Sequence, residues 1–221
     1  MKILVFGDSI AYGAWDVDGG WVSRLRKFYD KRGFKDENYF MLFYQLGIDS
    51  QTTADLLERF DAESKPRVDE NRKENVIIFE VGKNDSLFKE SIGRRRVEPS
   101  EFERNLRELS GKASKVSETI IFLGMARTAD DTNLAYKAWT PDITYSNEAI
   151  LEYDSIIKRI CKETGAGYID LDKAISKRIS SGIFDNDGIH LNAKGHRLVF
   201  NAVKRYLIKN GITPQHGSAT V

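Results

Sequence analysis

Cysteine is almost missing from this chain of 221 residues, Cys161 being the only one. That excludes a disulfide framework and a cysteine-rich zinc site, and a lone thiol suits a reducing compartment, so a cytoplasmic protein is expected. An excess of one charge is missing too, with 34 Lys and Arg against 33 Asp and Glu. The balance excludes a polybasic nucleic-acid arm or an acidic solvating tail as the main character of the chain. No apolar run approaches the ~18 residues of a membrane span. The start, Met1-Lys2 followed directly by Ile3-Leu4-Val5-Phe6, lacks the ordered parts of a signal peptide. Only three histidines occur, none paired at metal-ligand spacing, so no metal and no cofactor are expected. What remains is an ordinary globular composition, 41% hydrophobic with 17 glycines, and a domain of this size buries about 70% of its unfolded surface without staples.

Apolar, branched runs recur at residues 3–6, 39–46, 76–81, 119–123 and 167–171. Between them lie stretches of helical spacing at 21–29, 52–60, 99–116, 147–164 and 193–208. Near-continuous apolar strands alternating with helices imply a parallel sheet covered on both faces. The expected fold is a three-layer α/β/α sandwich, flavodoxin-like, with five parallel strands in the order 2-1-3-4-5. One domain is expected over 1–211, with 212–221 a poorly ordered tail after the Asn210-Gly211 helix stop. Pro99, Ser100 and Glu101 mark the start of the third long helix. The long connections 85–98 and 125–144 both follow strands, and so belong at the ligand-binding edge of the sheet.

The first strand runs into Gly7-Asp8-Ser9-Ile10, which presents Ser9 at that edge. A serine hydroxyl becomes nucleophilic only when a base takes its proton and an acid orients the base. Of His190, His196 and His216, only His190 follows an acid in a tight loop, Asp187-Gly188-Ile189-His190. A Gly-containing turn can bring Asp187 to Nδ1 and leave Nε2 to face Ser9. Attack on an ester carbonyl also needs donors for the oxyanion. Gly47, after the second strand, admits a close backbone N–H, and Asn84, in Gly82-Lys83-Asn84-Asp85 after the third, carries a side-chain amide.

These blocks resemble the SGNH/GDSL hydrolase superfamily, in order and over nearly the whole chain. Accessory stretches are similar as well: Tyr12-Gly13, Gly19-Gly20-Trp21, Gln51-Thr52-Thr53, Tyr145-Ser146-Asn147 and Asn192 to His196. The resemblance implies a serine esterase with Ser9 as nucleophile, His190 as base and acid, and Asp187 as its orienter. It also implies an oxyanion hole made of the Ser9 and Gly47 N–H groups and the Asn84 amide. Two departures stand out: Ser50 where a glycine is common, and Leu191 where a proline often follows the histidine. The elbow Gly-x-Ser-x-Gly is absent at Ser9, because Ala11 fills its last position, which argues against the α/β-hydrolase fold.

Each residue also has a plainer reading. Ser9 could cap a helix, Asn84 could hold its loop, and Gly47 could be a simple turn residue. His196 is expected to be structural and Cys161 inert packing. Asp8 and Asp85 look like metal ligands but suit the orientation of loops; Asp8, Tyr136 and Trp139 are also the expected substrate-side residues. The Arg94-Arg95-Arg96 run is either a solvated face or a lure for anionic substrates. The expected partner is a small-molecule ester, with no nucleic acid. Rival readings are a phosphoacceptor or nucleotide-binding module built on Asp8 and Asp85, and acyl transfer to an acceptor other than water.

Overall fold

A computed structural model describes residues 1–36, 40–129 and 140–212. Five parallel strands form the main sheet: β1 (Lys2–Gly7), β2 (Leu42–Gly47), β3 (Asn75–Glu80), β6 (Thr119–Leu123) and β8 (Gly167–Ile169). Their order is β2-β1-β3-β6-β8, which is the expected 2-1-3-4-5 order of an α/β sandwich. In β1, Ile3, Leu4, Val5 and Phe6 are all 0% exposed, so each face of this central strand is buried, as a parallel sheet requires.

The period of two sends alternate side chains to opposite cores. Ile3 and Val5 join one core with Trp21, Leu25 and Tyr29 of α2 (Gly20–Gly33) and Val199, Val203 and Leu207 of α8 (Ala193–Lys209). Leu4 and Phe6 join the other, beneath α3 (Thr53–Ser64), α5 (Pro99–Val116) and α6 (Asn147–Thr164). There a run of rings, Phe60, Phe6, Phe79 and Phe122, packs at centroid distances of 4.9, 6.0 and 4.8 Å. Each such phenylalanine contributes roughly 1.5–3 kcal/mol through burial. The sandwich therefore rests on apolar packing, and polar groups can collect at its edge.

That edge is set by register. Gly7 pairs with Gly47 on one side and with Glu80 on the other, so three strands end level. Short helices follow two of them: α1 (Ser9–Tyr12) after β1 and α4 (Lys83–Ser86) after β3. A second, antiparallel sheet, unanticipated from the sequence, has the order β5-β4-β7 and is built from β4 (Phe88–Lys89), β5 (Arg94–Arg95) and β7 (Ile143–Thr144). It ties the two long connections together beside the carboxyl edge. A last short helix, α7 (Leu171–Ile175), follows β8. Among the described residues no helix is long and apolar enough to cross a membrane.

Candidate active site

The turn after β1 is capped by Asp8, whose Oδ1 accepts the Ile10 N–H at 2.9 Å. Asp8 thus takes the capping role, and the Ser9 hydroxyl is free for another partner. That partner is His190, whose Nε2 lies 2.9 Å from Ser9 Oγ across 181 residues of sequence. His190 reaches it from a tight turn in which Asp187 Oδ1 accepts the N–H groups of Ile189 and His190, each at 2.9 Å. Gly188 makes the turn possible at φ +71°, where a side chain would be strained. Asp187 Oδ2 then meets His190 Nδ1 at 2.5 Å.

An ionised carboxylate only accepts hydrogen bonds, so Nδ1 carries the hydrogen and Nε2 is left to accept from Ser9. Burial works against the Asp187 charge, but the bonds from the His190 ring and from the His190 and Ile189 N–H groups outweigh it. The carboxyl is held below its ordinary value. Neighbouring bonds fix the loop: Asp185 N–H donates to His190 O at 2.8 Å, and the Asn192 amide spans Gly182 O and Phe184 O at 2.9 and 2.8 Å.

Asn84 stands beside this chain on α4. Its Nδ2 donates to Asp8 Oδ2 at 3.2 Å and to Gln51 O at 3.1 Å, while its Oδ1 accepts the Tyr145 hydroxyl at 3.0 Å. Tyr145 therefore fixes which way the amide faces. Asp8 is 1% exposed and both its oxygens are engaged, so it supports the turn from inside instead of touching substrate as expected of it. Asp85 is likewise turned inward and bonded by the Thr53 N–H and hydroxyl. Burial pushes its carboxyl up to about 7 despite those bonds.

Gly47 is placed differently from expectation. In the Gly7–Gly47 register, Ile48 N–H donates to Gly7 O at 3.0 Å. Successive amides of a strand alternate sides, so the Gly47 N–H points away from β1 and from Ser9. The glycine is needed for packing: a Cβ there would lie 2.3 Å from Tyr12 N and 2.8 Å from Asp8 O. The loop that does approach Asn84 is the next one, through Gln51 O. It contains Ser50 at φ +60°, the left-handed conformation that explains why glycine suits this position. Arg96 clamps it by donating to Ser50 O at 2.6 Å.

Beneath the turn, Asp8, Glu80 and Lys83 are buried together. Burial raises both carboxyls, Glu80 the more strongly because the Asp8 charge adds to the effect, and lowers the Lys83 ammonium. His196 is 0% exposed and its Nε2 donates to Ala14 O at 3.2 Å; burial lowers it and keeps the ring neutral. Cys161 is buried, which pushes its thiol up to about 12. The arginine run serves the framework, since Arg95 pairs with Glu152 at 2.7 Å and Arg96 holds Ser50. Tyr136 and Trp139 lie outside the described residues. Among the described residues, no group of three His, Cys, Asp or Glu is placed to hold a metal ion.

Sequence reasoning missed Arg59. From α3 it donates to Leu46 O at 2.8 Å and Gly7 O at 3.2 Å, pinning the ends of β2 and β1. Nothing in the local pattern marks it, because an arginine on an amphipathic helix reads as solvated. Glu80 did leave a signal, a single carboxylate in the otherwise apolar run 76–81.

Comparison with known proteins bears on the fold and the family. No curated protein sequence matches the chain. Among solved structures, a lipase/acylhydrolase from Enterococcus faecalis is similar at a TM-score of 0.71 and 20% identity, covering 97% of this chain and 98% of its own. An acetyl xylan esterase, AlAXEase, is similar at 0.70 and 21%, covering 94% and 100%. The acetylxylan esterase Axe2 from Geobacillus stearothermophilus gives 0.66 and 18%, covering 92% of each chain. At these identities the likeness shows the fold. The model of the GDSL-like lipase/acylhydrolase family matches residues 5–198, and with that match the chain belongs to this family of carboxylic ester hydrolases.

Proposed function

We propose that the chain hydrolyses small or short-acyl carboxylic esters through an acyl-enzyme on Ser9. One observation carries the reading: the continuous chain from Ser9 Oγ to His190 Nε2 at 2.9 Å and from Nδ1 to Asp187 at 2.5 Å. His190 Nε2 takes the hydroxyl proton as Ser9 Oγ bonds to the ester carbonyl carbon, and Asp187 stabilises the imidazolium that forms. The new oxyanion meets the Ser9 N–H and the Asn84 amide, which shares one of its two engaged N–H bonds. A backbone donor from the loop of Ser50 takes the place first expected of Gly47. Collapse breaks the ester C–O bond, and the departing alkoxide receives the proton from Nε2. Water then gives a proton to Nε2 as its oxygen bonds to the acyl carbon, the bond to Ser9 Oγ breaks, Oγ takes the proton back from Nε2, and the carboxylic acid leaves. The buried, fully bonded Asp8 and Asp85 speak against a phosphoacceptor. The acetyl xylan esterases among the similar structures support a short acyl group.

The test is a fluorophosphonate probe followed by peptide mapping. Labelling is expected at Ser9, and Ser9→Ala should lower turnover of p-nitrophenyl acetate by at least about 10³-fold with an unchanged melting temperature. A folded Ser9→Ala protein with undiminished turnover would end the proposal.

A further inference from the structure

Trp15 is 62% exposed, yet both of its chain neighbours are buried and bonded. On one side Ala14, 3% exposed, donates its N–H to Ser9 O at 3.0 Å and accepts from His196 at 3.2 Å. On the other, Asp16 is 7% exposed and bound by Arg24 at 2.6 and 3.1 Å, while its N–H donates to Gly13 O at 2.9 Å. An indole on a floppy loop would need no explanation. This one is fixed from both neighbours and aimed outward, with its ring centroid 5.8 Å from that of His190 and inclined at 60°. The indole thus touches the imidazole while most of its surface stays in solvent.

We infer that Trp15 is a platform for the alcohol part of the substrate, and that this alcohol carries a saturated six-membered ring of the pyranose class, which presents a patch of C–H groups. The inference rests on the Ser9 reading above, and the chemistry fixes the side. His190 Nε2 must reach the leaving oxygen at about 3 Å to protonate it. The group attached to that oxygen therefore lies on the imidazole side of Ser9, while the acyl carbonyl faces Asn84. A ring one bond beyond the leaving oxygen comes within reach of the exposed indole, whose centroid is 5.8 Å from that of the imidazole. An open-chain alcohol presents no such C–H patch. The C–H face of a pyranose covers the indole, and its hydroxyl rim stays in water.

The experiment compares kcat/KM for a mono-acetylated methyl pyranoside with that for mono-acetylglycerol, in the wild type, Trp15→Ala and Trp15→Phe. The pyranoside-to-glycerol ratio should fall about tenfold in Trp15→Ala, mainly through KM, and return to within about threefold of wild type in Trp15→Phe. An unchanged ratio overturns the inference. So does an equal loss on both esters, which would make Trp15 structural, or a shift in preference along an acetyl-to-octanoyl glycerol series, which would put the indole on the acyl side. Failure of the Ser9 reading looks different: the wild type would neither take the fluorophosphonate label nor hydrolyse any of these esters.

Discussion

Replacing Asp187 by Asn keeps the shape of the turn and reverses its chemistry. The amide oxygen can still accept the Ile189 and His190 N–H groups that Asp187 Oδ1 accepts at 2.9 Å. The amide nitrogen then faces His190 Nδ1 in place of a carboxylate oxygen at 2.5 Å. Two donors cannot share that contact, so Nδ1 becomes the acceptor and Nε2–H points at Ser9 Oγ, unable to take its proton. The charge facing the imidazolium is lost as well. At a charge separation of about 4 Å and an effective dielectric of about 20, that is worth about 4 kcal/mol. With the cost of restoring the unfavoured tautomer, the barrier should rise by about 5–6 kcal/mol, roughly a 10⁴-fold fall in kcat. The assay is initial-rate hydrolysis of p-nitrophenyl acetate by wild type and Asp187→Asn, with melting temperatures measured on the same samples. Adding Asp187→Asn to Ser9→Ala should cost nothing further, because the groups act as a unit. If the folded Asp187→Asn protein keeps more than about a tenth of wild-type kcat, the assignment of base and tautomer is refuted.

Two predictions concern stability. Ser50→Gly should raise stability by about 0.5–1 kcal/mol in urea unfolding, since φ +60° strains serine by more than glycine's extra unfolded-state freedom costs; a loss of stability would show that the Ser50 side chain has a role that the backbone argument omits. Asp85 is raised from 3.8 to about 7, so between those values the folded state binds a proton that the unfolded state has released. Its contribution therefore falls as pH rises through that window, by at most about 4 kcal/mol. Asp85→Asn, which keeps an acceptor for Thr53, should lie closest to wild type near pH 4 and exceed it increasingly up to pH 8. Parallel pH–stability curves for the two proteins would refute the linkage.

Much of the architecture was legible because long elements announce themselves by period. The strand at 119–123 and the helices at 99–116 and 147–164 match the structure at both ends. The second sheet was illegible for the same reason: two-residue strands such as Phe88–Lys89 and Ile143–Thr144 have no period, and tertiary bonds such as Ser91 to Asp142 hold them in place. The residues of the Ser9–His190–Asp187 chain could be named from their types and order. Gly47 could be named, but the side its N–H faces depends on a register fixed only when Gly7 pairs with it. Second contacts were hidden more thoroughly. That Tyr145 orients Asn84 across 61 residues, or that Arg59 ties two strand ends, follows from the folded shape alone.

The distribution of buried polar groups shows how the fold tolerates its site. Asp8, Ser9, Thr53, Glu80, Lys83, Asn84, Asp85 and His190 are all buried, and all lie at or just beyond the carboxyl ends of β1, β2 and β3 or in the turn that meets them. At the opposite edge the buried polar side chains Asn75 and Ser117 mainly close backbone bonds, Asn75 to Asp69 O and Val116 O and Ser117 to Asn75 O and Thr119 O. A buried polar group is costly unless it is bonded, and most groups of the carboxyl edge meet that demand by linking to one another, Glu80 Oε2 being an exception. Asn105 donates to Thr53 at 3.0 Å, Thr53 donates to Asp85, and Tyr145, Asn84 and Asp8 form a second chain ending on the Ile10 N–H. The second chain ends beside Ser9, and neither uses its hydroxyl. The Ser9 Oγ is thus left for His190 by neighbours that bond mainly to one another, and the two apolar cores beneath carry the cost of burying that framework, the unpartnered Glu80 Oε2 included.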